Sequence, residues 1–284
     1  MACTTASDMI DVSYLTKKYG SLTALSMVSF TAEHGTVLGL LGPNGAGKSS
    51  IMSIIAGYTQ KSSGRVHVCG FDIDTHRVDA KLHIGYLPEH SPLPVNMTVE
   101  EFLEFSSDLK KIRRQDVKSG IEQAVEITGL TDVRHRLIRN ISKGYRQRVG
   151  IAQALLGSPE VLILDEPTSG LDPLQLVEMR SLIRKLGETH TILFSSHILS
   201  EAESICDRVI VLYKGRIIAD DSPSALIASI PENRFQLSST ATHEQIAAAL
   251  SSAGIGFSEL EPLGKRLEDT FLQLIIGAEH EAGL

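Results

Sequence analysis

No apolar run in this chain approaches the ~18 residues that a membrane span needs. The N-terminus also lacks the charged-then-apolar pattern of a secretory signal. The expectation is a protein without a membrane span of its own. Cysteine is scarce. Cys3, Cys69 and Cys206 are odd in number and far apart, so their spacing suggests neither a disulfide framework nor a zinc site. Positive charge is in deficit too: 27 Lys and Arg against 34 Asp and Glu give a formal charge of −7, which argues against a nucleic-acid groove. Aromatic residues make up only 5%, so an aromatic side chain at a turn stands out. What remains is ordinary for a globular protein, with 42% hydrophobic residues and 284 positions. That length suffices for one large domain with an appendage or for two modest domains.

Against that background, Gly42-Pro43-Asn44-Gly45-Ala46-Gly47-Lys48-Ser49 is the most informative stretch. It fits G-x-x-x-x-G-K-[ST], a loop whose backbone N–H groups cradle nucleotide phosphates. Gly45 and Gly47 allow the tight turning that points successive N–H groups at an anion. Lys48 brings positive charge to the β- and γ-phosphates, and the Ser49 hydroxyl suits Mg²⁺. The apolar run Val37-Leu38-Gly39-Leu40-Leu41 before the loop reads as a buried parallel strand. After it, Ser50-Ile51-Met52-Ser53-Ile54-Ile55-Ala56, closed by Gly57, reads as a helix whose positive end faces the phosphates. Strand, loop and helix in that order make this a nucleotide-phosphate site.

Ahead of the loop, residues 10–15 alternate as a half-exposed strand, and a second strand lies near residues 27–31. A β layer is therefore expected before the loop. Tyr19 at the intervening turn is either an ordinary turn tyrosine or a ring that stacks on a bound base, a contact that contributes about 1–3 kcal/mol. Residues 65–70 read as a strand, with His67 on its solvent face, and residues 84–87 as a short buried strand. Three prolines between Pro88 and Pro94 make a stiff, extended loop. Helical patterning follows: a capping box at Thr98-Val99-Glu100-Glu101, apolar positions at Phe102, Leu103 and Phe105, and further ones at Ile121, Ala124 and Val125 until Gly129. The basic cluster from Lys110 to Arg114 reads as a solvated helix end. A last helix starts after Ser142, its N-cap, with Val149, Ala152, Leu155 and Leu156 on one face. Taken alone this is a well-capped helix, although such a start can also bind phosphate. Residues 90–157 or so thus form a helical subdomain inserted into an α/β core.

Val161-Leu162-Ile163-Leu164 ends in the carboxylates Asp165 and Glu166. Ligands gather at the carboxyl ends of parallel strands, which is where these two fall. Asp165 is suited to the Mg²⁺ shell, and Glu166 to polarising an attacking water as general base. Another buried strand, residues 191–196, ends in His197, whose imidazole can hydrogen-bond a γ-phosphate or a water. Asp172 lies in the turn Ser169-Gly170-Leu171-Asp172-Pro173 and can act at an interface. Residues 209–213 turn at Lys214-Gly215 into a closing hairpin. Farther on, Thr242 to Gln245 is a capping box before Ile246, Ala249 and Leu250, with a stop at Gly254, and residues 267–276 read as a final amphipathic helix.

These segments, in this order, resemble the nucleotide-binding subunit of an ABC transporter over roughly residues 8–230. The resemblance implies a P-loop NTPase (RecA-like) α/β core with an N-terminal antiparallel β layer, the inserted helical subdomain and a small C-terminal α/β appendage over residues 231–284. It places the family's base-stacking aromatic on Tyr19, and its phosphate loop on Gly42, Pro43, Asn44, Gly45, Ala46, Gly47, Lys48 and Ser49, with Ser50 following. The Walker B carboxylate falls on Asp165, the catalytic glutamate on Glu166 and the switch histidine on His197. The signature segment falls on Ile141-Ser142-Lys143-Gly144-Tyr145 and the D-loop on the turn ending at Asp172. Ser142, Lys143, Gly144 and Asp172 would contact ATP bound to a second subunit. Two departures stand out: Glu89 occupies the Q-loop position, where it would join Ser49 and Asp165 around Mg²⁺, and the signature carries Lys143 and Tyr145 for Gly and Gln. These variants are similar to the ABC-2-type ATPases of export systems. The implied protein is an ATPase with ATP and Mg²⁺ at its site, working as a homodimer or heterodimer. It would sit peripherally on the cytoplasmic face of the membrane and dock a separate permease near Glu89 to Pro94. A soluble ABC-type ATPase acting on nucleic acid or ribosomes is the alternative, which the acidic charge disfavours. A P-loop kinase or GTPase would lack its guanine motif and leave the signature unexplained.

Overall fold

Strand β1 (Ile10–Tyr19) shows how the chain builds its first layer. Ile10 and Val12 point inward and Asp11 and Ser13 outward, as a period of two requires. The alternation then breaks: Tyr14 takes φ 52 and faces solvent, and Leu15 is the next buried residue. The strand's pairing shifts there, so a β-bulge re-aims the side chains. Strand β2 (Leu22–Ala32) pairs antiparallel with β1. Both strands are longer than the sequence pattern indicates. The structure, a computed structural model, describes residues 8–228 and 241–255. The chain divides into two compact units, Met1–Ser229 and Ile230–Leu284.

In the first unit, β3 (Val37–Leu41) leads through the 42–49 loop into α1 (Lys48–Ile55). Next come β4 (Ser63–Val68), β5 (Phe71–Asp72), α2 (Arg77–Leu82) and β6 (Ile84–Leu87). The helical segment holds α3 (Val99–Leu109), α4 (Arg114–Ile127) and α5 (Lys143–Leu155). The chain re-enters the core through β7 (Val161–Asp165), α6 (Pro173–Gly187), β8 (Thr191–Ser196), α7 (Leu199–Ile205), β9 (Arg208–Tyr213), β10 (Arg216–Asp221) and α8 (Pro223–Ala228). In the second unit, the described α9 (His243–Ser252) carries the expected Thr242 capping box. The expected helix over residues 267–276 lies outside the described residues.

Two sheets result. The larger runs β10-β9-β3-β8-β7-β6, parallel except for the β10 edge, and β3 lies in its interior. The smaller runs β2-β1-β4-β5. The antiparallel layer is thus not wholly N-terminal, because β4 and β5 come after the phosphate loop. The core strands are apolar on both faces because each face meets a different core. Leu38 and Leu40 of β3, with Val161 and Ile163 of β7, pack with α1 and the antiparallel layer. Val37 and Leu41, with Leu162 and Leu164, pack with the helical segment and α6. Continuous apolar runs are what such double burial demands.

The helical segment is fixed by its caps and by close approach to β6. Thr98 and Glu101 form the reciprocal capping box of α3, and Ile121, Ala124 and Val125 are the buried face of α4. Two expectations are corrected. Phe105 is exposed rather than packed. Lys110 is not a solvated charge: its Nζ donates to the carbonyls of Gln153, Ala154 and Leu156 at 2.9, 3.1 and 2.8 Å, closing the C-terminal end of α5. Burial pulls its pKa down to about 8. Helix α2 had no clear sequence signal, being a single short element with one buried residue, Ala80.

Gly85 in β6 lets α5 lie directly on the sheet, since a Cβ there would collide with the Ala154 carbonyl and Leu162. Gly85→Ala is expected to destabilise the first unit by about 1–3 kcal/mol, the usual cost of overpacking, as a lower midpoint in urea unfolding.

Candidate nucleotide site

Parallel register brings three strand ends to one edge. Leu41 of β3 pairs with Ser196 of β8, and Asp165 of β7 pairs with Ser195. The residues that follow each strand, the 42–49 loop, Glu166 and His197, therefore share one rim. The loop turns as its glycines predict, with Gly45 at φ 80 and Gly47 at φ 111. Gly47, the N-cap of α1, is doubly constrained, because a Cβ there would also lie 2.5 Å from Leu25 Cδ2 of β2. The loop is tied down by Ala46, whose N–H donates to Pro43 O at 3.1 Å and whose carbonyl accepts from Gly215 N at 3.0 Å.

Lys48 is only 6% exposed, and its ammonium donates to the Gly42 carbonyl at 2.8 Å. It lies 3.6 Å from Glu166 Oε1. The other oxygen of that carboxylate, Oε2, is 2.8 Å from His197 Nδ1. An ionised carboxylate only accepts, so Nδ1 is the donating nitrogen of the ring. Glu166 has φ 49, a left-handed conformation uncommon outside glycine. Its N–H donates to Ser195 Oγ at 2.8 Å, and the same hydroxyl donates to Asp165 Oδ1 at 2.6 Å. One serine thus locks the backbone of one carboxylate and the side chain of the other. Burial, with the Asp165 charge added, pushes the nearby Tyr86 phenol up to about 12.

The resulting cleft has a volume of about 500 Å³. Tyr19, Leu22 and Ala24 form one wall, residues 44–50 the floor, and Glu89, Glu166, Ser169 and His197 the rest. Tyr19 is half exposed, with Lys17 Nζ 4.5 Å from its ring centroid. Asp165 is buried beneath this surface and is not among the lining residues. Ser142, Lys143, Gly144 and Asp172 are also absent from the lining and gather elsewhere on the chain. Ser142 caps α5 by accepting from Tyr145 N at 3.3 Å, Lys143 lies against Gly170, and Gly144 lies against Gln175. Asp172 caps α6, accepting from Gln175 N at 2.9 Å.

Four positioning residues escaped the sequence reading. Ser195 is one. Thr168, Ser196 and Glu201 are the others: the two hydroxyls donate to the fully buried Glu201, at 2.8 and 2.6 Å to its Oε2. Glu201 Oε1 has no hydrogen-bond partner among the described residues. It clamps the segment after Glu166 to the strand end before His197. A polar cluster at the end of an apolar strand was the only available signal.

Comparison with known proteins finds similar chains. Residues 25–169 match the family model described as ABC transporter. An uncharacterized ABC transporter ATP-binding protein of Bacillus subtilis, YdbJ, is 40% identical over 220 residues, 76% of this chain and 70% of that protein. The Nod factor export ATP-binding protein I of Rhizobium meliloti is 37% identical, over 77% of this chain and 65% of that protein. Among solved structures, cbiO1 of Clostridium perfringens, part of the transporter complex cbiONQ, aligns with TM-score 0.71 and 28% identity, covering 78% of this chain and 91% of that one.

Ser195→Ala leaves the Glu166 N–H and one Asp165 oxygen without their buried partner. A loss of about 1–3 kcal/mol in unfolding free energy is expected. A variant as stable as the parent would show that the serine does not hold this rim together.

Proposed function

This chain belongs to the ABC transporter family of ATP-binding proteins, and from that premise we propose that its cleft binds ATP and hydrolyses it to drive a separate membrane permease in the export direction. The observation that carries the reading is Glu166, held between Lys48 and His197 at the mouth of the phosphate loop.

In this reading the phosphates lie on the N–H groups of the 42–49 loop and the start of α1, and the base stacks on Tyr19. Lys48 exchanges its loop carbonyls for phosphate oxygens. The hard oxygens of Ser49, Asp165 and Glu89 fit Mg²⁺. When bound, Mg²⁺ offsets charge building on the phosphate oxygens. Glu166 takes a proton from water as that oxygen bonds to the γ-phosphorus. The bond from the γ-phosphorus to the bridging oxygen breaks, releasing ADP and phosphate. His197 orients the glutamate through Nδ1 and lies on the cleft wall where it can reach the γ-phosphate.

The site is half of a larger one. Support comes from the absence of Ser142, Lys143, Gly144 and Asp172 from the lining of their own chain's cleft. A second subunit would bring them over the ATP, so that ATP joins the halves and hydrolysis releases them. Lys143 would then offset the charge of Glu89. The Glu89, Lys143 and Tyr145 variants, with the similarity to an export ATPase, support an ABC-2-type assignment. Among the described residues no helix is long and apolar enough to cross a membrane. The permease is therefore proposed as a separate chain, docking at the segment between Glu89 and Pro94, where Glu89, His90 and Pro92 are exposed.

Glu166→Gln is expected to keep ATP binding, lose nearly all turnover and elute as a dimer with saturating ATP and Mg²⁺. A monomer under those conditions overturns the two-subunit site. Tyr19→Ala should weaken ATP binding by about 1–3 kcal/mol in a nucleotide titration. Affinity purification from detergent-solubilised membranes is expected to retain a polytopic membrane protein. Nucleic acid retained in its place overturns the transport role.

A further inference from the structure

At the opposite end of the core sheet, where strands β6 and β7 begin, three side chains of different chemistry converge. Cys69 follows β4 in the turn to β5, His83 precedes β6 and Glu160 precedes β7. Their candidate ligand atoms all lie within 4.8 Å of one another. His83 Nδ1 is 2.8 Å from Glu160 Oε2. We propose that Cys69, His83 and Glu160 bind a divalent transition-metal ion of the zinc class.

The argument rests first on the donor set. A thiolate, an imidazole and a carboxylate are the three ligand types zinc takes, and the sulfur selects against Mg²⁺ and Ca²⁺. It rests second on rigidity. Backbone bonds fix every ligand: Cys69 N donates to Met9 O at 2.8 Å, Val161 N to the His83 carbonyl at 3.0 Å, and Thr191 N to the Glu160 carbonyl at 2.9 Å. The Phe71 ring stacks on His83 with centroids 5.2 Å apart and planes at 16°, which sets the imidazole's orientation. Ligand atoms around a tetrahedral zinc lie about 3.3–3.8 Å apart, from bonds of about 2.0–2.3 Å. The ligand atoms, within 4.8 Å of one another, must close by up to about 1 Å to reach that spacing, while the His83–Glu160 pair at 2.8 Å must open by about half an ångström.

Binding balances simply. The thiol releases its proton to solvent, the imidazole binds as the neutral ring through Nδ1 with its one proton on Nε2, the ion bonds to S, N and O, and the His83–Glu160 contact opens. Water can complete the fourth position, because the His83 and Glu160 side chains are 22% and 39% exposed. The ion would staple the antiparallel layer to the parallel sheet at the end remote from the nucleotide. Cysteine spacing alone gave no sign of this, since two of the three ligands are not cysteines and Glu160 is distant in sequence.

The test is a Co²⁺ titration of the full chain followed by absorption, then displacement by Zn²⁺. One Co²⁺ per chain is expected, with a thiolate-to-cobalt charge-transfer band that Zn²⁺ removes. Cys69→Ser should abolish the band, and His83→Gln should lower affinity at least about tenfold. Cys3→Ser and Cys206→Ser should keep both. Zn²⁺ should raise the Tm of the parent and leave that of Cys69→Ser unchanged, with Cys69→Ala substituted if the serine variant does not fold. Absence of the band, or its survival in the Cys69 variants, overturns the site and leaves an ordinary His–Glu pair beside a buried thiol.

Discussion

A buried ammonium sets the terms for the rim of this protein. Lys48 is 6% exposed, and a charge withdrawn from water that far must be compensated. Its compensation comes from loop carbonyls and from Glu166, which is itself buried. Removing one member of such a pair strands the other, at a cost of about 3–5 kcal/mol. Lys48 and Glu166 therefore constrain each other. The left-handed backbone at Glu166, its N–H bond to Ser195 and its contact with His197 all aim one carboxylate at one lysine. A phosphate entering the loop would compete for that lysine, and the proposed chemistry begins with this exchange.

The geometry depends in turn on strand order. β3, β8 and β7 are adjacent and parallel, so the segments leaving them emerge together. That adjacency requires the strands to be covered on both faces, and the two cores on either side of β3 and β7 supply the cover. Fold and site are thus linked through packing: the sheet that buries Leu40 and Leu164 also brings Lys48 and Glu166 within 3.6 Å.

What could be read in the sequence was what is local. The phosphate loop, the caps at Thr98, Ser142 and Thr242, and the apolar strands each carry their physical cause within a few residues. The groups that could not be read depend on partners far along the chain. Lys110 looked like a surface charge because the carbonyls it closes lie more than 40 positions away, at Gln153 to Leu156. Glu201 gave no sequence signal, because the hydroxyls that hold its buried carboxylate, on Thr168 and Ser196, belong to two separate segments. Tyr14 broke the alternation through a bulge whose register is set by β2 and β4. The resemblance to a family, built on several motifs in order, supplied the long-range pairing that spacing could not.

The placement of the signature residues gives the proposed two-subunit site its physical sense. Ser142 caps α5 and Asp172 caps α6, so neither side chain is free to swing into its own cleft without uncapping a helix. Losing such a cap costs about 1 kcal/mol, and Gly144 packed against Gln175 couples the two helix starts. A rigid paired surface of this kind is poorly suited to folding back on its own chain and well suited to meeting another. The phosphate-binding half is pre-formed by the Lys48–Glu166 pair, and the capping half by α5 and α6. With both halves in place, the ATP between them can act as the adhesive, and cleaving its γ-phosphate can act as the release. The switch then lies in the contact between copies.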